Sequence, residues 1–100
     1  MKFVQIEGDT ATIVVEDYFT LVKVMSVDAE LSKAYESGCS KVIVDFLKTK
    51  YIDSSCISEL INIVRHVGAD NFAIQNANGK VATALRGANL MGWVKDQANG

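Results

Sequence analysis

Apolar residues recur along the chain with two different spacings, and the switches between them mark out its elements. Residues 2–6 (Lys-Phe-Val-Gln-Ile) and 11–15 (Ala-Thr-Ile-Val-Val) are short runs rich in β-branched side chains, separated by the turn cluster Glu7-Gly8-Asp9-Thr10. That arrangement predicts an antiparallel hairpin. From about Thr20 the period lengthens. Val24, Val27, Leu31, Ala34 and Tyr35 fall at helical spacing, and Gly38 follows as a stop signal. Residues 42–47 (Val-Ile-Val-Asp-Phe-Leu) are nearly continuous in apolar character, as in a strand buried on both faces beneath helices. Residues 54–67 carry the clearest helical stripe, with Ile57, Leu60, Ile61 and Val64 at i, i+3, i+4, i+7, widened by Cys56, Ile63 and Val67 and ended by Gly68. Phe72-Ala73-Ile74 reads as a short strand and Asn76 to Gly79 as a polar turn. Val81, Ala84, Leu85 and Ala88 give a third helical stripe. Gly92 breaks it, and Trp93-Val94 follows as a last short strand or packing tail.

Strands alternating with helices in the order β-β-α-β-α-β-α-(β) predict an α/β fold, a small mixed sheet of about four to five strands with three to four helices. A chain of 100 residues, 49% of them hydrophobic, supports one domain over residues 1–100 and a real core. The net charge of −2 gives no electrostatic reason to expect nucleic acid or an anionic membrane as a partner. No apolar run approaches the roughly 20 residues that span a bilayer. Met1 to Ile6 lacks the charged start and long apolar stretch of a secretory leader. The two cysteines, Cys39 and Cys56, have no CxxC spacing and are expected to stay thiols. Together these features predict a cytoplasmic protein.

Open α/β sheets present functional groups where strands end and helices begin. The junction Lys50-Tyr51-Ile52-Asp53-Ser54-Ser55-Cys56 is the most informative one here. Asp53, Ser54 and Ser55 all suit a helix N-cap, yet one residue suffices to cap. With Asp53 or Ser54 as the cap, Ser55 falls in the first turn with a hydroxyl free to face solvent. A phosphate on that hydroxyl would be tolerated, because the unpaired amides and dipole of a helix N-terminus favour negative charge. A second candidate surface is the loop around Asp17, Tyr18 and Phe19. Two aromatics beside an acidic pair are suited either to anchoring a partner or to packing under the first helix.

Other chemistries lack their parts. His66 lies eleven residues from Ser55 on the same helix, about 16 Å away at 1.5 Å per residue, so the two cannot form a hydrolase pair. It is expected as a solvated helix-end residue. Cys56 would gain thiolate character from a helix N-terminus, but no histidine is placed to serve it as a base, and small apolar duty is the commoner role. No metal-ligand spacing, Walker pattern or GxGxxG pattern occurs. Lys80, Arg86 and Lys95 read as a solvated face. The expectation is a protein without catalytic activity or cofactor.

Tyr51-Ile52-Asp53-Ser54-Ser55-Cys56-Ile57, following Val42-Ile43-Val44-Asp45-Phe46, resembles the STAS domain family, best known from bacterial anti-sigma factor antagonists. The family signature is an apolar strand, an Asp-Ser-Ser-Gly motif opening a helix, and an apolar helix behind it. The resemblance extends over nearly the whole chain, to Asn89-Leu90-Met91-Gly92-Trp93-Val94, which is similar to the family's closing helix-to-strand passage. It implies that Ser55 is the phosphoacceptor of a partner serine kinase that is itself the anti-sigma factor. It further implies that the unmodified form binds this partner, that the phosphorylated form is released, and that a metal-dependent serine phosphatase resets the switch. Asp53, Ser54 and Cys56, with Asp17, Tyr18 and Phe19, would then form the partner surface. Cys56 stands where the family usually has glycine. Glu16-Asp17-Tyr18-Phe19-Thr20 replaces a Gly-x-Leu/Ile-Asp motif that many members carry. STAS domains also serve biofilm and secretion regulation and, generally without the serine pair, a lipid-transport complex. A constitutive scaffold subunit is therefore the competing reading.

Overall fold

A computed structural model describes residues 2–94. The amino-terminal hairpin is built from β1 (Val4–Glu7) and β2 (Thr10–Val14), paired antiparallel with Glu7 opposite Thr10. Gly8, first of the two turn residues, has φ +63°. Two-residue hairpin turns need such a left-handed position, and glycine occupies it without strain. β3 (Asp17–Phe19) then leads into α1 (Leu21–Glu36), β4 (Lys41–Asp45), β5 (Thr49–Ile52), α2 (Ser54–Val67), β6 (Phe72–Gln75) and α3 (Gly79–Gly87). The main sheet has the order β1-β2-β4-β6, with β2, β4 and β6 mutually parallel. β3 and β5 form a separate parallel pair.

Apolar positions alternate in the main sheet. Ala11, Ile13, Val42, Val44, Phe72 and Ile74 are buried. They share one core with Val27, Leu31 and Ala34 of α1 and with Leu60 and Ile63 of α2. The intervening Thr12, Val14, Ile43, Asp45, Ala73 and Gln75 are only half-buried. The central strand is thus not buried on both faces, as its composition led one to expect. Its apolar run also stops early. The Asp45 carboxylate accepts the Leu47 amide (3.0 Å) and the Asn76 side-chain amide (2.9 Å), and the Thr49 amide closes a turn onto the Phe46 carbonyl (3.0 Å). An aspartate that bonds the backbone two residues on favours a turn over continued extension, so Leu47 ends exposed on a turn rather than in a strand.

α1 ends where Gly38 was expected to stop it. Gly38 adopts φ +104°, and the amides of Gly38 and Cys39 return to the carbonyls of Tyr35 and Ala34. This is the paired C-terminal closure that glycine permits. The third helix lies within a residue or two of its apolar stripe. The Trp93-Val94 segment differs from a strand: Met91–Trp93 is a 3₁₀ turn, and Val94 makes a single parallel bridge to Ile74. Lys95 lies outside the described residues. Among the described residues, no helix is long and apolar enough to cross a membrane.

Candidate functional site

The site is built where β5 runs into α2. Asp53 has extended backbone (φ −113°, ψ −175°) and is the N-cap of α2, its carboxylate accepting the Cys56 amide at 3.0 Å. The same oxygen, Oδ1, accepts the Ser55 hydroxyl at 2.5 Å. Burial alone would raise the pKa of this carboxyl. The Ser55 hydroxyl and the amides of Cys56, Ser55 and Leu21 outweigh it and hold the group below the usual aspartate value. Leu21 is the first residue of α1, whose own N-cap, Thr20, makes no side-chain capping bond. The Asp53 carboxylate therefore caps α2 and is further favoured by the first amide of α1.

This geometry changes the expectation for Ser55. Its hydroxyl is not free in solvent but half-buried and committed to Asp53, while Ser54 is the exposed member of the pair. Cys56 lies wholly inside the core. Burial, with the charges of Asp53 and Glu59, pushes its thiol pKa far up, so the helix N-terminus does not yield a reactive thiolate. A residue with no exposed surface cannot form part of a partner surface, and Cys56 leaves the predicted set for that reason. Phe19, 1% exposed, leaves it too, because it packs in the core beside Phe46. Tyr18 (58% exposed) and Asp17 remain on the surface.

Two short strands that the apolar pattern did not reveal bring these parts together. Tyr18 of β3 pairs in register with Tyr51 of β5, their rings edge to face with centroids 6.4 Å apart, and Phe19 pairs with Ile52 immediately before Asp53. Asp17, at φ +60°, sits at the register shift that starts the pair, and its carboxylate lies 3.5 Å from Lys50. Thr49 anchors β5 to the main sheet: its buried hydroxyl donates to the Val15 carbonyl at 2.5 Å. Three exposed apolar residues open α1, Leu21, Val22 and Met25, and Val22 is 77% exposed. Tyr18, also exposed, lies three residues ahead of them and pairs with Tyr51, two residues before Asp53. Exposed apolar residues grouped in this way mark interaction surfaces more often than scattered ones do.

The remaining candidates fall elsewhere. His66 is exposed in the last turn of α2, as expected there, but its ring stacks on Tyr35 with centroids 4.0 Å apart. Lys80 and Arg86 are exposed on α3. Among the described residues no group of three or more His, Cys, Asp or Glu side chains is placed to hold a metal. Sequence reasoning missed Glu59, which is buried beside Leu60. A lone carboxylate inside the apolar stripe of the best helix was the available signal.

No protein-family model matches the sequence, and neither does any curated protein sequence. Solved structures do match. The anti-sigma factor antagonist SpoIIAA in its unphosphorylated form superposes with a TM-score of 0.82 at 19% identity, over 92% of this chain and 84% of that one. The phosphorylated form of Bacillus SpoIIAA gives 0.74 at 17% identity, over 92% and 86%. The Thermotoga maritima protein TM1081, a candidate anti-sigma factor antagonist, gives 0.78 at 20% identity, over 92% and 81%. At such identities the likeness speaks for architecture: the chain has the STAS-like fold of SpoIIAA.

Proposed function

We propose that this protein is a non-enzymatic regulator of the anti-sigma factor antagonist type. In this reading its binding to a partner is switched by phosphorylation of Ser55. The observation that carries the proposal is the placement of the Ser55 hydroxyl: in the first turn of α2, aimed at Asp53, at the end of the strand that carries the exposed Tyr51. Because the hydroxyl hydrogen is directed at Asp53, the Oγ lone pairs are left for a phosphoryl donor. In the transfer, the Oγ–P bond forms, the bond to the nucleoside diphosphate breaks, and the hydroxyl proton has an acceptor in place. A partner serine kinase supplies the donor, and a metal-dependent serine phosphatase reverses the step.

The direction of the switch follows from charge. An interface centred on Tyr18, Tyr51 and the start of α1 desolvates Ser55. A hydroxyl is accommodated there with the bond it already has. A phosphate brings about −1.5 to −2 charges beside the carboxylate of Asp53, and an uncompensated buried charge costs several kcal/mol. The helix N-terminus keeps the modified domain folded, so the cost falls on the complex. The test is the intact mass of the protein isolated from its native cells, together with partner capture by wild type, Ser55→Ala and Ser55→Asp. One phosphate lost with Ser55→Ala, and weaker capture by Ser55→Asp than by Ser55→Ala, is the expected result. Stronger capture by Ser55→Asp would replace release with a partner that reads phosphate through an arginine cluster.

A further inference from the structure

A cleft of about 250 Å³ separates α1 from α2, lined by Asp28, Ser32 and Tyr35 on one side and Glu59, Asn62 and His66 on the other. Glu59, only 6% exposed, lies on the α2 side of this cleft, and Asp28, exposed, lies on the α1 side. Two ionised carboxylates are both acceptors and cannot bond each other, so a bond between this pair needs a shared proton. Among the described residues, no lysine or arginine lines the cleft. The ion pairs found among the described residues, Lys48–Glu16 and Lys50–Asp17, lie elsewhere.

We propose that Asp28 and Glu59 form a proton-dependent clasp between α1 and α2, and that losing the shared proton shifts the two helices and alters how Ser55 is presented. The connection is short. Glu59 lies one turn beyond Ser55 on α2, and Asp28 two turns beyond Leu21 on α1, and the starts of both helices meet at the Asp53 carboxylate. Burial first, then the charge and hydrogen bond of Asp28, raise the Glu59 carboxyl to about 8. The other groups facing it are Tyr35 from α1 and Cys56 and His66 from α2. Burial, with Glu59 and Asp28, pushes Tyr35 up to about 12, and burial pushes the Cys56 thiol up as well, so both stay neutral while Glu59 titrates. His66 stacks on Tyr35 at the far end of the cleft. With the folded value above the unfolded one, the clasp is intact below the ordinary glutamate range and is lost as pH rises through about 8.

The consequence for regulation rests on the phospho-switch reading; the clasp does not. The test is an NMR titration of the unphosphorylated full chain from about pH 4 to pH 9, following side-chain carboxyl carbons and backbone amides. Glu59 is expected to ionise several pH units above free glutamate, with the Ser55 amide and the first turns of both helices moving at the same midpoint. Glu59→Gln should abolish that transition, and Asp28→Asn should move the Glu59 midpoint down. Should Glu59→Gln fail to fold, Asp28→Asn at the exposed rim carries the test alone. Ionisation of Glu59 in the ordinary range, a Ser55 amide indifferent to the transition, or a transition unchanged in either variant overturns the proposal. The titration as expected, in a protein that never carries phosphate in cells, supports the clasp and removes only the switch reading.

Discussion

Replacing Asp53 separates its two duties. Asp53→Ala removes the acceptor of the Cys56 amide and of the Ser55 hydroxyl in one step. Loss of an N-cap costs about 0.5–2 kcal/mol. The Ser55 hydroxyl, being half-buried, can turn to water and so adds little. The freed Leu21 amide at the start of α1 is also exposed enough to hydrate. The expected loss is therefore about 1–2 kcal/mol, and each kcal/mol lowers the midpoint by roughly 4–8 °C in a domain of this size. Asp53→Asn keeps an acceptor at the cap and discards the charge, so it should cost less. The two also differ in acid. Because the folded Asp53 carboxyl lies below its ordinary value, its contribution is complete above about pH 4 and is lost as pH falls through the folded value. The stability gap between wild type and Asp53→Asn should then close on acidification, measured by urea unfolding at stepped pH. A gap that stays constant to about pH 2, or an Asp53→Ala variant as stable as wild type, would refute the capping argument.

Further expectations are simpler to state. Ser54→Ala and Ser55→Ala should each unfold within about 1 kcal/mol of wild type, because Asp53 still caps α2; urea midpoints check this, and a larger loss at Ser55 would make it a structural residue first. Thr49→Val should cost about 1–3 kcal/mol, since it leaves the buried Val15 carbonyl without its donor; thermal unfolding measures it. Phe19→Ala should cost about 3–5 kcal/mol as a core truncation, and Tyr18→Ala far less. Only the Tyr18 variant is expected to fold normally and lose partner capture.

The helix behind the serines was legible because its period is long and uninterrupted. The apolar positions from Ile57 to Val64 fixed its existence, and Asp53 and Gly68 its ends. Its orientation was less so. Of the stripe Ile57, Leu60, Ile61 and Val64, Leu60 reaches the deep core and the other three are half-buried, while Cys56 and Ile63 from its widened edge are buried with Glu59 among them. The helix packs on α1 as well as on the sheet strands, so one stripe does not describe it. β3 and β5 escaped detection for a different reason. Their burial patterns, exposed-exposed-buried and buried-exposed-exposed-buried, lack the period-two alternation that identifies a strand. The motif Asp53-Ser54-Ser55 pointed to the site, but which hydroxyl is held and which is exposed depends on side-chain geometry that sequence spacing does not encode.

The separate pairing of β3 and β5 has a consequence for how the molecule opens. β2 and β4 are each flanked by a strand on both sides, so their amides should exchange with solvent only through global unfolding. β3 and β5 have only each other within their sheet. They are held to the rest by the Thr49 hydroxyl, the packing of α3 across β5, and the inward side chains Phe19 and Ile52. This pair can loosen as a unit at a free energy below that of the whole domain. Because β5 runs straight into Asp53, such a sub-global opening would carry the cap away from α2 and part the Asp53 carboxylate from the Ser55 hydroxyl. The integrity of the α2 cap would then follow the local stability of two short strands, and amide exchange along residues 17–19 and 49–52 would report it directly.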